Sequence, residues 1–262
     1  MTGRKLFPSA GPVFGAWTSI GHPSITEIVA NAGVDFIGID LEHSAINHEQ
    51  AQRIMAAAQA VGVACLPRAA SHHGEHIRRL LDSGADGIIV PNVSTCHEVE
   101  QIIGWCKYPP LGKRSYGVAR AHGYGFTFDA YVRAWNDRST LLIQIESIQA
   151  VDVVDALLAY EPIDGVLIGP YDLSGSLGIP GQLEHPLVTQ ACARVLEACQ
   201  RRGKACGTQL IEPAEESVTA ALEAGYRFVV LASDVFVLWK WAERMRRMVT
   251  SLRQGASHAT RP

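Results

Sequence analysis

Leu81-Asp82-Ser83-Gly84-Ala85-Asp86-Gly87-Ile88-Ile89-Val90-Pro91 begins as the last turn of an amphipathic helix, reverses at Gly84 and ends as a short run apolar on both faces. A glycine at the reversal stops the helix and takes the left-handed backbone that the turn needs. A strand apolar on both faces belongs inside a parallel sheet covered by helices. The same junction recurs at Asn31-Ala32-Gly33-Val34-Asp35-Phe36 and at Glu223-Ala224-Gly225-Tyr226-Arg227-Phe228. A helix-to-strand joint repeated along one chain is the signature of an alternating βα fold.

Working outward, strands are expected at Val13–Thr18, Phe36–Leu41, Ala64–Arg68, Gly87–Pro91, Leu141–Glu146, Gly165–Gly169, Cys206–Leu210 and Phe228–Ala232. Helical patterns lie between them at Ser24–Ala32, His48–Val61, Gly74–Leu81, Cys96–Cys106, Ala150–Ala159, Pro186–Arg202, Ala214–Ala224 and Val235–Arg253. Eight units in 262 residues fit one (β/α)8 TIM barrel, which takes about 250 residues. A doubly wound open sheet would want a Gly-rich phosphate loop after its first strand, and none is present. The expectation is a single α/β domain over 1–262. Its rhythm breaks at an insert of about 108–140, holding a short helix at Phe128–Asn136 and read as a lid. A polar tail from about 255 to 262 is expected to fray.

A net charge of −3 gives no basic surface for nucleic acid or an anionic membrane. No apolar run is long enough to span a bilayer, and the N-terminus lacks an apolar signal core. Cys65, Cys96, Cys106, Cys192, Cys199 and Cys206 show no CxxC spacing, so a reduced, cytoplasmic protein is expected.

In a barrel of this kind chemistry sits at the carboxyl ends of the strands. There the sequence places Asp40-Leu41-Glu42-His43, Arg68, Asn92, Gln144-Ile145-Glu146, Tyr171-Asp172, Thr208-Gln209 and Ser233-Asp234. Glu146 and Asp172, from neighbouring strands, are hard oxygen ligands suited to Mg2+ or Mn2+, with Co2+ as a further fit. Each carboxylate taken alone is as well explained by capping a helix or pairing with an arginine. Arg68 has two readings, ion-pair partner of Asp40 or Glu42, or a fork for a 2-oxo acid and its enolate. His43 is either a rim histidine or a base. The lysines, Lys5, Lys107, Lys113, Lys204 and Lys240, all avoid the strand ends where a Schiff base would form. No G-x-S-x-G or HExxH motif occurs.

Asp40-Leu41-Glu42-His43, Arg68, Leu81–Pro91, Gln144-Ile145-Glu146 and Gly169-Pro170-Tyr171-Asp172-Leu173-Ser174-Gly175 together resemble the HpcH/HpaI group of class II, pyruvate-dependent aldolases, over about Phe14 to Leu238. The resemblance implies a barrel of the phosphoenolpyruvate/pyruvate type and a divalent metal held by Glu146 and Asp172. It implies that Arg68 stabilises the transition state and that His43 is the base. Substrate contacts would come from Gln144 and the backbone at Tyr171 and Asp172. Asp82 matches the residue that raises the basicity of that histidine. Its place at a helix-to-strand turn on the barrel floor means that it reaches His43 only from a neighbouring subunit. A homo-hexamer, as a trimer of dimers with the last helix exchanged, is implied too, and Val235–Trp241 suits that exchange. Tyr171 departs from the small residue of many relatives.

The implied reaction is reversible aldol cleavage of a 4-hydroxy-2-oxo acid to pyruvate and an aldehyde. A lyase of hydroxyacyl-CoA thioesters is the alternative, with Lys113, Arg114, Arg120, Arg133 and Arg138 of the insert meeting the CoA phosphates. A non-catalytic barrel that binds a 2-oxo acid is the alternative from another class.

Overall fold

The computed structural model describes residues 5–259, with side chains to 254. Strands β1 (Val13–Thr18), β2 (Phe36–Asp40), β3 (Ala64–Arg68), β4 (Gly87–Val90), β5 (Thr140–Ile145), β6 (Gly165–Ile168), β7 (Ala205–Leu210) and β8 (Phe228–Ser233) form a closed barrel in sequence order. All neighbours are parallel, and β8 closes on β1 with Val13 opposite Phe228. The polar tail expected to fray lies beyond the described side chains.

The sequence places every strand within a residue of its observed bounds, because a strand buried on both faces leaves an uninterrupted apolar run. Helices differ more. The pattern at Ala150–Ala159 resolves into two short helices, Ile148–Asp152 and Val154–Leu157, with a break at Val153. A further helix, Pro170–Ser176, is unexpected from sequence, since its Ser174-Gly175-Ser176 end has poor helix propensity. Pro170 at the first helical position starts it.

The insert corrects one expectation. It follows helix Cys96–Cys106, which has already carried the chain from the mouth back to the floor, so it cannot be a lid over its own mouth. Arg120 instead donates to the Ser83 carbonyl at 3.0 Å and to Gln59 Oε1 at 2.8 Å, against the floor end of helix Gly74–Asp82.

Alternate residues of each strand point inward. The lower interior is apolar, packed from Phe36, Leu66, Ile89, Leu142, Leu167, Phe228 and Val230, with Phe7 against Phe228 at 5.2 Å below them. Further along the same inward rows come Asp40, Arg68, Gln144 and Gln209. The apolar plug therefore ends where the polar mouth begins. A second, larger apolar layer joins the outer strand faces to the helices.

Candidate active site

Asp40 organises the mouth. Its Oδ1 accepts from Arg68 Nε at 3.1 Å and Nη2 at 2.9 Å, and from the backbone N–H groups of Glu42 and His43, both at 3.1 Å. Glu42 Oε2 lies 3.3 Å from the same Arg68 Nε. Held by two carboxylates, the guanidinium sits 4.9 Å above the Trp17 ring. Trp17 is itself fixed by its indole N–H, which donates to Gln209 Oε1 at 3.0 Å. Gly38 makes room for it, since a Cβ there would lie 2.5 Å from the indole. Arg68 Nη1 has no hydrogen bond to protein among the described residues. The structure shows the first reading of Arg68, an ion-pair partner of both Asp40 and Glu42.

Glu146 is buried beside this pair. Its Oε2 accepts from the Asn92 N–H at 2.8 Å and its Oε1 from Gln144 Nε2 at 3.0 Å. Gly169 leaves it space, because a Cβ there would lie 2.7 Å from its Oε1. Burial pushes the Glu146 pKa up to about 7, the Asn92 N–H opposes that rise, and the nearby charges of Glu42 and Asp172 add to it. Burial raises Glu42 as well, against the pull of Arg68 and His43. Four acidic side chains, Asp40, Glu42, Glu146 and Asp172, near one guanidinium leave an excess of negative charge, which a divalent cation would relieve. Gln144 Oε1 and Glu42 Oε2 are buried without a hydrogen-bond partner among the described residues. Hard oxygen donors with unspent lone pairs fit Mg2+ or Mn2+. No ready group of three or more His, Cys, Asp or Glu ligands occurs among the described residues. A cation here would therefore rest on two carboxylates and keep sites for water and substrate.

Asp172, in the first turn of helix Pro170–Ser176, is exposed and close enough to bear on Glu146. Tyr171 beside it is 64% exposed, so its ring lies on the rim rather than plugging the mouth. His43 also lies at the rim, its side chain 69% exposed and its Nε2 3.6 Å from Glu42 Oε2. Asp82 is elsewhere. It ends helix Gly74–Asp82 at the floor and accepts from Arg114 Nη2 at 2.6 Å. The structure therefore brings together Asp40, Glu42, Arg68, Gln144, Glu146 and Asp172, with His43 at their edge, and leaves Asp82 at the other end of the barrel.

Three contributors carry no role in the sequence reading, although Asn92 is placed at the mouth by its strand end. Trp17 reads as core, and only its inward place on β1 hints at more. Asn92 stands at a strand end, with the residue type that best tolerates a left-handed backbone. Gly169 looks like a turn. Asp234, by contrast, has a structural task. Its carboxylate accepts from the backbone of Ser19 at 3.0 Å, Ile20 at 2.9 Å and Val235 at 2.8 Å. Lys107 is buried and donates to the Ser139 carbonyl and hydroxyl, and Lys5 pairs with Asp164 at 2.7 Å at the amino-terminal end of the barrel. Two of the arginines offered for CoA are also committed. Arg114 is enclosed by the rings of Tyr108, Tyr131 and Trp135, and Arg138 lies over Tyr131.

No helix among the described residues is long and apolar enough to cross a membrane. The sequence is 35% identical over 239 residues to the hydroxypyruvate/pyruvate aldolase of Roseobacter denitrificans, covering 90% of this chain and 92% of that one. It is 34% identical over 224 residues to the 5-keto-4-deoxy-D-glucarate aldolase of Escherichia coli, covering 85% of this chain and 86% of the relative. Among solved structures, an HpcH/HpaI aldolase from Desulfitobacterium hafniense superposes with a TM-score of 0.84 at 30% identity, over 91% of this chain and 93% of that chain. The profile of the HpcH/HpaI aldolase/citrate lyase family matches residues 14–240, and with the barrel and its acidic mouth in view the chain belongs to that family.

Proposed function

We propose that the protein is a divalent-metal-dependent carbon–carbon lyase that cleaves a 4-hydroxy-2-oxo acid to pyruvate and an aldehyde, and runs the same aldol reaction in reverse. The observation that carries this is the placing of buried Glu146 in the same mouth as an Arg68 locked by Asp40 and Glu42. One mouth thereby offers a cation seat and a fixed positive charge side by side. The aldolase names of the two relatives support the same reaction class.

Glu146 and Asp172 would hold the cation, with the Gln144 side chain and the backbone at Tyr171 and Asp172 available to the substrate. When bound, Mg2+ or Mn2+ supplies Lewis-acid polarisation of the 2-oxo group. The remaining steps belong to the chain itself. His43, directly or through a water, removes the C4 hydroxyl proton. The C3–C4 bond then breaks, its electron pair moving into the pyruvate enolate as the aldehyde forms. Arg68 stabilises the enolate oxygen, and its geometry is set before substrate arrives, so little reorganisation is needed. A proton returned to C3 completes pyruvate. In the reverse direction His43 takes a methyl proton from pyruvate.

Asp82 would polarise His43 only from a second copy. The C-terminal helix, Asp234–Ala259, supports an oligomer, since Val237, Trp241 and Leu252 are each half exposed or more and fall at helical spacing on one side, an apolar stripe that water covers poorly. A homo-hexamer in which each Asp82 serves a neighbour is the assembly this favours. The CoA alternative is weakened by Arg114 and Arg120, which are tied down at the floor, far from the mouth.

The decisive experiment is deuterium exchange into the methyl group of pyruvate by the Mn2+-loaded protein in D2O, which needs no knowledge of the aldehyde. Exchange that vanishes with EDTA, and a protein that borohydride and pyruvate leave unmodified, is the expected outcome. Exchange persisting without metal, or a reduced adduct on a lysine, would refute the proposal.

A further inference from the structure

Asn92 lies just beyond β4 with φ at 54°, a conformation that residues with a Cβ avoid and asparagine tolerates best. The consequence is visible in its two bonds. The backbone N–H donates to Glu146 Oε2 at 2.8 Å, and the side-chain Nδ2 donates to Glu42 Oε1 at 3.0 Å. A single residue thus touches both carboxylates. They belong to opposite halves of the chemistry, for Glu146 faces the cation seat while Glu42 contacts Arg68 and His43. Two like charges in a half-buried mouth push each other apart, and a donor that binds both opposes the separation.

We propose that Asn92 is a positioning residue that sets the spacing between the cation-holding half of the mouth and the Arg68–His43 half. Its backbone N–H serves Glu146 and its amide serves Glu42. The assignment rests on the metal-dependent reading above and deepens it, because it predicts that the two services separate by mutation. Asn92→Gly keeps the left-handed backbone and the N–H but removes the amide. Asn92→Val resists that backbone, so it disturbs the N–H as well.

Two readouts divide the services. One is Mn2+ binding by calorimetry on substrate-free protein; the other is the rate of pyruvate deuterium exchange, resolved into kcat and KM. For Asn92→Gly, Mn2+ affinity and the KM for pyruvate should stay within about threefold, while kcat falls about tenfold, as for one lost hydrogen bond to a charged group. For Asn92→Val, Mn2+ affinity itself should drop by about tenfold or more. Asn92→Asp retains the backbone preference but sets a carboxylate against Glu42, and should lower kcat further than glycine does. Wild-type kcat in Asn92→Gly overturns the assignment of the amide and keeps the metal reading. Should Asn92→Val fold and bind Mn2+ like wild type, the assignment of the N–H falls. No Mn2+ binding by the wild-type protein would overturn this proposal and the metal reading together.

Discussion

Replacing Glu146 by glutamine should make the metal-free protein more stable at alkaline pH while removing its capacity to bind the cation. Burial raises the Glu146 carboxyl from its ordinary 4.5 to about 7, with Glu42 and Asp172 adding to the effect. A carboxyl raised on folding holds its proton more tightly in the native state, so native stability is fully present below pH 4.5 and is lost as pH climbs through about 7. The whole loss is on the order of 3 kcal/mol, and about 2 kcal/mol of it falls between pH 5.5 and 8. Glutamine keeps an oxygen for the Asn92 N–H and an amide beside Gln144, yet has no proton to lose. Urea unfolding of EDTA-treated wild type and Glu146→Gln at pH 5.5 and pH 8 measures the difference directly. The gap between the two proteins should widen in favour of the variant by about 2 kcal/mol from the lower pH to the higher. Mn2+ should shrink that gap by stabilising wild type alone. Parallel stability profiles for the two proteins would refute the argument, because they would mean that Glu146 ionises without cost.

Arg68→Ala should reduce pyruvate exchange by about a hundred- to a thousandfold, the usual effect of losing one preorganised donor to a developing oxyanion; exchange at the wild-type rate would remove Arg68 from the mechanism. Mixing two inactive proteins, His43→Ala and Asp82→Asn, under conditions that allow subunits to exchange should restore partial activity. Absence of any restoration, with mixed oligomers demonstrated by mass, would place the two residues in separate tasks. Asp234→Ala should destabilise the fold by about 2–4 kcal/mol, since it strips an acceptor from three backbone N–H groups, and chemical denaturation at neutral pH reports it.

The barrel was readable from sequence because burial on both faces of each strand leaves apolar runs such as Gly87–Val90, and glycine reversals such as Gly84 mark where helices end. The mouth was readable for a related reason. A side chain such as Glu146 at the end of an apolar strand has no packing role, so its presence asks for another. The same logic misleads at Asp234, which occupies an equivalent place yet spends its carboxylate on the backbone of Ser19 and Ile20, a contact from the far end of the chain. Trp17 and the task of Asn92 escaped for the opposite reason. A tryptophan in an apolar strand looks like filling until the Arg68 guanidinium is seen above it. The value of Asn92 depends on a backbone angle that no pattern of side chains encodes. The floor position of the insert follows from counting the helix at Cys96–Cys106 before it, whereas its grip on Ser83 and Gln59 is visible only in three dimensions.

The Asp234 clasp has a consequence for the order in which the molecule is made. It joins positions 215 residues apart, at the seam where the first strand meets the last. The groups of the mouth precede that last strand in the chain, and until the seam shuts an open ring of parallel strands offers them no fixed frame. The last strand and the acid that latches it therefore complete the frame for all of them together.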